Sequence, residues 1–385
     1  MADQSIADVV IIGGGCMGAS VAFHLARLGI TKVVLLERES QLGTASTGRN
    51  AGGVRHQFSQ ESNVRLSIES IKVFEDFDAI TGSPIDFHQD GYLFLLSTPQ
   101  EVDAFKSARE MQRRLGVDVD WLDASEAADL IPGLKTDGVA AATFCSRDGI
   151  SDPNGVTMGF ASAAKRAGVE IRRGVEALGI EKDARGVTAV RTTSGTIPTR
   201  VVVNAAGAWA AKIGAMAGAP LPIWPLRRHI FIAAPPAQGW TFDRRTLVID
   251  FASSFYFHRE GASLLFGMGD PHETPNFDTT VNWQVLEQIA PVAARRLPAL
   301  SDASIAKAWA GLYEMTPDAM PIIGQAGVDG LFAIAGFSGH GFQHSPAAGR
   351  ILADVIAGRD PQFDLRPFRL DRFAAGGGSA EVGVV

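Results

Sequence analysis

Val9–Ile12 is an unbroken apolar run, the pattern of a parallel strand buried on both faces. A helical pattern follows through Leu28, and Val33–Leu36 repeats the apolar run before ending at Glu37. Strand, helix and strand in this compass make a βαβ unit. Further on the period changes repeatedly. Ser62–Ile80 reads as an amphipathic helix, with apolar Val64, Leu66, Ile68, Ile71, Val73, Phe74 and Phe77. Gly91–Leu96 reads as a strand, and Thr98–Leu115 as a helix with an acidic start and a basic end. Asp123–Glu126 opens a short helix that Pro132-Gly133 closes, and Gly155–Ala167 is a further helix. Val169–Asn204 alternates strands with turns at Lys182–Gly186 and Ser194-Gly195. The aromatic-rich alternation of Trp224–Gly269 predicts an antiparallel sheet. Ser304–Gly311 reads as a strand, Leu312–Gly324 as a loop and Leu331–Gly336 as a buried strand. A last helix runs through Ile356 with Pro346 near its first turn, and the tail after Phe373 is expected to fray.

Glycine spacing gives the first unit its chemistry. Gly13, Gly15 and Gly18 form G-x-G-x-x-G directly after the strand. Gly13 allows the tight turn, Gly15 lets main chain approach a pyrophosphate, and Gly18 lets helix and strand pack closely. The helix start offers unpaired N–H groups and a partial positive charge to phosphate. Glu37 stands where a carboxylate accepts from a ribose. Ser40–Gly53 is a long Gly-, Ser- and Thr-rich loop that suits a second part of the same dinucleotide. Gly43–Gly48 has P-loop spacing, but Arg49-Asn50 stands in place of Lys-Ser/Thr, so a nucleoside-triphosphate site is excluded. Gly267-Met-Gly269 and Gly339-His-Gly341 lack a third glycine, so a second dinucleotide fold is not expected. Phosphate geometry alone admits either NAD or FAD.

Composition narrows the class only a little. The 385 residues are 46% hydrophobic and 20% charged, enough for two domains with large cores. With 35 basic against 42 acidic side chains the net charge is −7, which argues against nucleic acid or an anionic membrane as a partner. Cys16 and Cys145 make neither a zinc set nor a disulfide framework, so no metal is expected. With neither a signal-peptide pattern nor a membrane span, the expected compartment is the cytoplasm.

Five segments together carry a resemblance: the opening motif, STGRNAGGVRH at 46–56, VVVNAAGAWA at 201–210, AGLYEMTPDAMPIIG at 310–324 and GFSGHGF at 336–342. In this order they resemble the D-amino-acid oxidase superfamily, closest to its sarcosine oxidase and sarcosine dehydrogenase-like branch. The resemblance implies an α/β (α+β overall) flavoprotein of the glutathione-reductase-like type. Its Rossmann-like FAD-binding domain would be discontinuous (1–85, 150–220 and 312–385). A substrate domain with a mixed or antiparallel sheet and helices would take 86–149 and 221–311. Gly13, Gly15, Cys16, Met17 and Gly18 would meet the pyrophosphate, with Glu37 and Arg38 at the adenosine ribose. Ser46, Thr47, Arg49, Asn50, Ala51 and Gly52 would lead toward the flavin ring. Val175 would lie by the adenine, and Ala206, Gly207, Trp209 and Gly311 along the cofactor. Gly339, His340, Gly341, Phe342 and Gln343 would present N–H groups to the flavin, backed by the positive end of the last helix.

The same resemblance implies oxidation of a C–N bond in an N-substituted amino acid, by transfer of a hydride to flavin N5 and hydrolysis of the imine. Arg55 matches a position that holds the substrate carboxylate, a task for which the guanidinium fork is suited. Tyr313 and Tyr256 match site positions, and His56 is a weaker candidate. There are departures. Gly311 stands where monomeric sarcosine oxidase bonds FAD through Cys, so FAD is expected to be non-covalent. Gln343 replaces a carboxylate-binding Lys, and Leu265 replaces the Lys that promotes reaction with oxygen. The acceptor is thus O2 or an electron-transfer acceptor. The alternatives are the flavin subunit of a hetero-oligomeric dehydrogenase, an assembly factor with little activity alone, and an NAD-dependent dehydrogenase. The sequence leaves a homo- or hetero-oligomer open.

Overall fold

The computed structural model describes residues 6–374, 376 and 379–383. Two large sheets organise it. The first has six strands in the order Ile322–Gln325, Leu331–Ala335, Val202–Asn204, Val9–Ile12, Val33–Glu37 and Glu170–Arg173. All neighbours are parallel except the first pair, which is antiparallel. Helices Cys16–Arg27, Pro153–Arg166 and Gly341–Ile356 cover one face of this sheet. A three-stranded antiparallel sheet (Ala177–Asp183, Gly186–Thr192, Gly195–Pro198) and helix Ala210–Met216 cover the other. Burial on both faces is why its central strands, Val9–Ile12 and Val33–Leu36, read as continuous apolar runs.

The second sheet has eight strands in the order Ile305–Met315, Trp224–Ala233, Ser263–Gly267, Phe255–Glu260, Leu247–Asp250, Tyr92–Leu96, Ala141–Cys145 and Asp120–Leu122. Only the Leu247–Asp250 and Tyr92–Leu96 pair is parallel. One face packs on helices Ala124–Leu130 and Gln284–Arg296 through Leu93, Leu95, Phe231 and Phe257. Asp250 and Arg296 form a buried ion pair at 2.7 Å there. The pleat sends Tyr92, Phe94 and Leu96 to the opposite face, with Leu247 and Ile249. A fourth, small sheet is formed by Gly53–Val54, Gly149–Ser151 and Phe87–His88.

Some boundaries differ from the expected ones. The helix over 62–80 divides into Glu61–Glu75 and Phe77–Thr81 at Asp76, which leaves helical geometry at ψ 20°. The strand expected to stop at Gly311 runs to Met315, because Leu312–Met315 pair with Trp224–Arg227. Pairing between distant strands overrides a local loop signal. The last helix begins at Gly341, so Pro346 lies in its second turn and removes one main-chain bond. The tail is not frayed throughout. Glu381 is buried, accepting from Ser59 N–H and Oγ at 2.9 and 2.7 Å and from Asn63 Nδ2 at 2.9 Å. Within the tail, Ala375, Gly377, Gly378, Val384 and Val385 lie outside the described residues.

Candidate functional site

One continuous cavity runs from the first glycine loop to the inner face of the eight-stranded sheet. Its first end is made of main chain. Gly13 has φ +115°, and a Cβ there would collide with the Ala205 carbonyl. Gly15 faces Thr47 Oγ1, which also accepts from Cys16 N–H at 3.2 Å. Burial pushes the Cys16 thiol up to about 11, so it serves as a small packed group. Glu37 Oε2 accepts from Gly14 N–H and Oε1 from Glu39 N–H, both at 2.9 Å. Each oxygen keeps a lone pair, which suits a ribose diol. The Arg38 guanidinium lies 4.0 Å from the Trp209 ring centroid, and Trp209 stacks on Phe277 at 5.5 Å.

The middle is held by the loop after Glu37. Ser46 Oγ donates to the Leu312 carbonyl at 2.7 Å, and Arg49 Nη1 to the Ala310 carbonyl at 2.7 Å. Asn50 closes its own turn with Thr47 O and Gly52 N–H, both at 2.6 Å. Ala51, Val175, Ala206, Gly207 and Gly311 line the same space, as do Met17 and the segment Gly339 to Gln343. The N-terminus of helix Gly341–Ile356 therefore points at the cavity. Glu314, which the sequence reading passed over, sits here with Oε2 unpartnered. Burial raises its pKa to about 7, against the pull of the Gly336 and Phe337 N–H groups.

At the far end the chain's three tyrosines, Tyr92, Tyr256 and Tyr313, all line the cavity. Burial raises all three pKa values, so the phenols stay neutral hydrogen-bonding groups. Tyr92 was not foreseen; its hydroxyl occupies the space that a Cβ on Gly53 would need. Arg228, also unforeseen, lies 5.2 Å from the Tyr313 ring centroid. Arg55 lines the cavity, yet its Nη1 and Nη2 donate to the Gln57 and Gly383 carbonyls. Its N–H donates to Gln343 Oε1 at 2.6 Å, which engages that side chain too.

Three expected site residues lie elsewhere. Gly18 packs helix against strand, where a Cβ would strike the Gly13 carbonyl. Gly52 turns at φ +74° against the Ser151 carbonyl. His56 is turned into the protein, where its N–H and Nδ1 both lie 2.7 Å from Asp148 Oδ1. His56, Cys145 and Asp148 hold their ligand atoms within 4.8 Å, close enough to suggest a metal. However, Asp148 already accepts from His56 and Gln57, and burial pushes the Cys145 thiol up. We read the group as a hydrogen-bonded knot. His340 is buried, with its pKa lowered to about 3 by desolvation, and is therefore neutral.

A glycine-built dinucleotide cradle opening onto an antiparallel sheet defines the class of two-domain flavin-dependent oxidoreductases. Residues 8–355 match the FAD dependent oxidoreductase (DAO) family, and the chain belongs to it. FAD is therefore the cofactor, and the NAD reading is set aside. The chain is 31% identical to mitochondrial dimethylglycine dehydrogenase of Rattus norvegicus, over 93% of this chain but 44% of that protein. It thus spans less than half the length of that relative. It is 32% identical to FAD-dependent oxidoreductase domain-containing protein 1 of Xenopus laevis, over 95% of this chain and 82% of the relative. The crystal structure of L-proline dehydrogenase from P. horikoshii superposes with TM-score 0.89 at 33% identity, covering 97% of this chain and 99% of that one. Among the described residues, no helix is long and apolar enough to cross a membrane.

Proposed function

We propose that the chain oxidises the C–N bond of a secondary or N-substituted amino acid, of the sarcosine, iminodiacetate or proline kind. The carrying observation is the far end of the cavity, where three neutral phenols and a cationic arginine face the cofactor space. Such a lining suits a small zwitterion, with hydrogen-bond donors and a cation for its carboxylate and apolar Ile230, Leu247 and Ile249 beside its carbon chain. Relatives named for dimethylglycine and for L-proline support the same substrate class.

Bound FAD supplies the two-electron acceptor. The substrate loses a hydride from carbon; a secondary amine also gives up its nitrogen proton to become the imine, a tertiary one becomes the iminium, and water then splits either into amine and carbonyl compound with release of the remaining proton. The protein's own part is orientation. Neutral tyrosines leave no phenolate to act as base. The positive end of helix Gly341–Ile356 favours negative charge building up on the cofactor side. The terminal acceptor is O2 or an electron-transfer acceptor. Leu265 is buried among Ile230, Ile232 and Trp309 and brings no charge to promote oxygen chemistry, which favours the second.

The test is anaerobic. The yellow holoprotein is mixed with N-methylglycine, N,N-dimethylglycine, iminodiacetate and proline, and at least one of them bleaches its flavin absorbance. If dithionite bleaches the flavin and none of these compounds does, the reading fails.

A further inference from the structure

Two arginines border the inner end of the cavity, and their surroundings differ. Arg55 is enclosed. Its plane lies 4.0 Å from the Phe58 ring centroid and 5.4 Å from that of Phe94, and two of its nitrogens donate to main-chain carbonyls. One of those carbonyls belongs to Gly383, so the guanidinium ties the tail to the body of the protein.

Arg228 is held less fully: among the described residues its partners are the Arg227 carbonyl and the Tyr313 ring. It sits on strand Trp224–Ala233 directly across from Gly311, where no side chain fills the facing position. The pleat puts Arg228 on the same face as Ile230, Tyr313 and Tyr256; Ile230 pairs with Gly267, which in turn pairs with Tyr256. All four line the cavity. Arg228 Nε is buried with no hydrogen-bond partner among the described residues, and Nη1 reaches only the Arg227 carbonyl at 3.4 Å. Arg227, one residue earlier and facing the other way, is paired with Glu273 at 2.9 Å and Asp278 at 2.6 Å. A partly buried guanidinium with an unmet donor is costly, and an anion entering the cavity would meet that donor. A carboxylate matches its fork.

We propose that Arg228 binds the substrate carboxylate, with the Tyr256 and Tyr313 phenols beside it, and that Arg55 is a structural tie. This rests on the amino-acid reading above and names the residue that selects acids over plain amines.

The test reads binding rather than turnover. Cyclopentanecarboxylate, which has no C–N bond to oxidise, and cyclopentanecarboxamide are titrated into the holoprotein, and perturbation of the flavin spectrum is followed. The wild type should prefer the acid by about 10- to 100-fold, the worth of a charge-assisted pair. Arg228→Met should abolish that preference, and Arg228→Lys should keep part of it. Arg55→Met should keep the acid-to-amide ratio while lowering the melting temperature. Should Arg228→Met fail to fold, Arg228→Lys carries the test, because loss of the fork alone must reduce the ratio. Four outcomes overturn the proposal: no acid preference in the wild type, a ratio unchanged in both Arg228 variants, loss of the ratio in Arg55→Met alone, or loss of FAD from Arg228→Met. The last would make the cofactor the missing anion. If amino acids bleach the flavin but the ratio ignores Arg228, the amino-acid reading stands and this assignment falls. If the ratio depends on Arg228 but none of the amino acids bleaches the flavin, the reverse holds.

Discussion

The two ends of the cavity are built from different material. At the glycine loop the groups that line the cavity are main chain and one carboxylate, Glu37, all set by residues close together in sequence. At the sheet end they are side chains, Arg228, Tyr256 and Tyr313, brought together from strands that pair across long stretches of chain. A cofactor with fixed diphosphate geometry can be held by a fixed backbone. A substrate that varies between enzymes is better met by side chains on a rigid sheet, where one substitution changes specificity and leaves the scaffold intact.

The difference can be broken at either end. The largest effect is expected from Gly13→Val. Strain at φ +115° and collision with the Ala205 carbonyl should cost about 3 kcal/mol or more, so FAD affinity should fall at least about 100-fold. Flavin absorbance retained after gel filtration measures it; a yellow Gly13→Val protein would mean that the main chain is not the holder. Next is Arg296→Met behind the sheet. It leaves Asp250 buried without its cation, and should cost about 3 kcal/mol in urea unfolding. A loss below about 1 kcal/mol would show that the sheet does not need the pair. The smallest effect belongs to Glu314, where the two ends meet. Its pKa rises from 4.5 to about 7 on folding, so the folded protein holds the extra proton. Stability from this group is full below pH 4.5 and falls as pH rises to about 7. The melting temperature of Glu314→Gln should lack that part of the decline. Parallel curves for variant and wild type would remove Glu314 as its source.

The same contrast explains what could be read in advance. The strand, glycine loop, helix and Glu37 are a local pattern whose spacing carries its own mechanism, and that unit was legible. Arg228 was not. It stands in Leu226-Arg227-Arg228-His229, and only the pleat and the pairing with Gly311 decide which arginine faces the cavity. Tyr92 is hidden for the same reason: the unbroken apolar run Tyr92–Leu96 does not say which face meets the cavity. The Arg55 expectation came from a motif in which its neighbours do match. The carbonyl that engages it lies 328 positions along the chain, in a tail whose glycines suggested disorder. His56 illustrates the ordinary fate of a buried histidine, since Asp148 claims it through a turn that no local spacing announces.

The docking of Glu381 and Gly383 has a practical side. A purification handle, a fluorophore or an immobilising linker carried at Gly383 would lie next to Arg55, one of the residues that line the cavity. A dye attached there would be placed to report on ligand entry, and a bulky fusion would be placed to obstruct it.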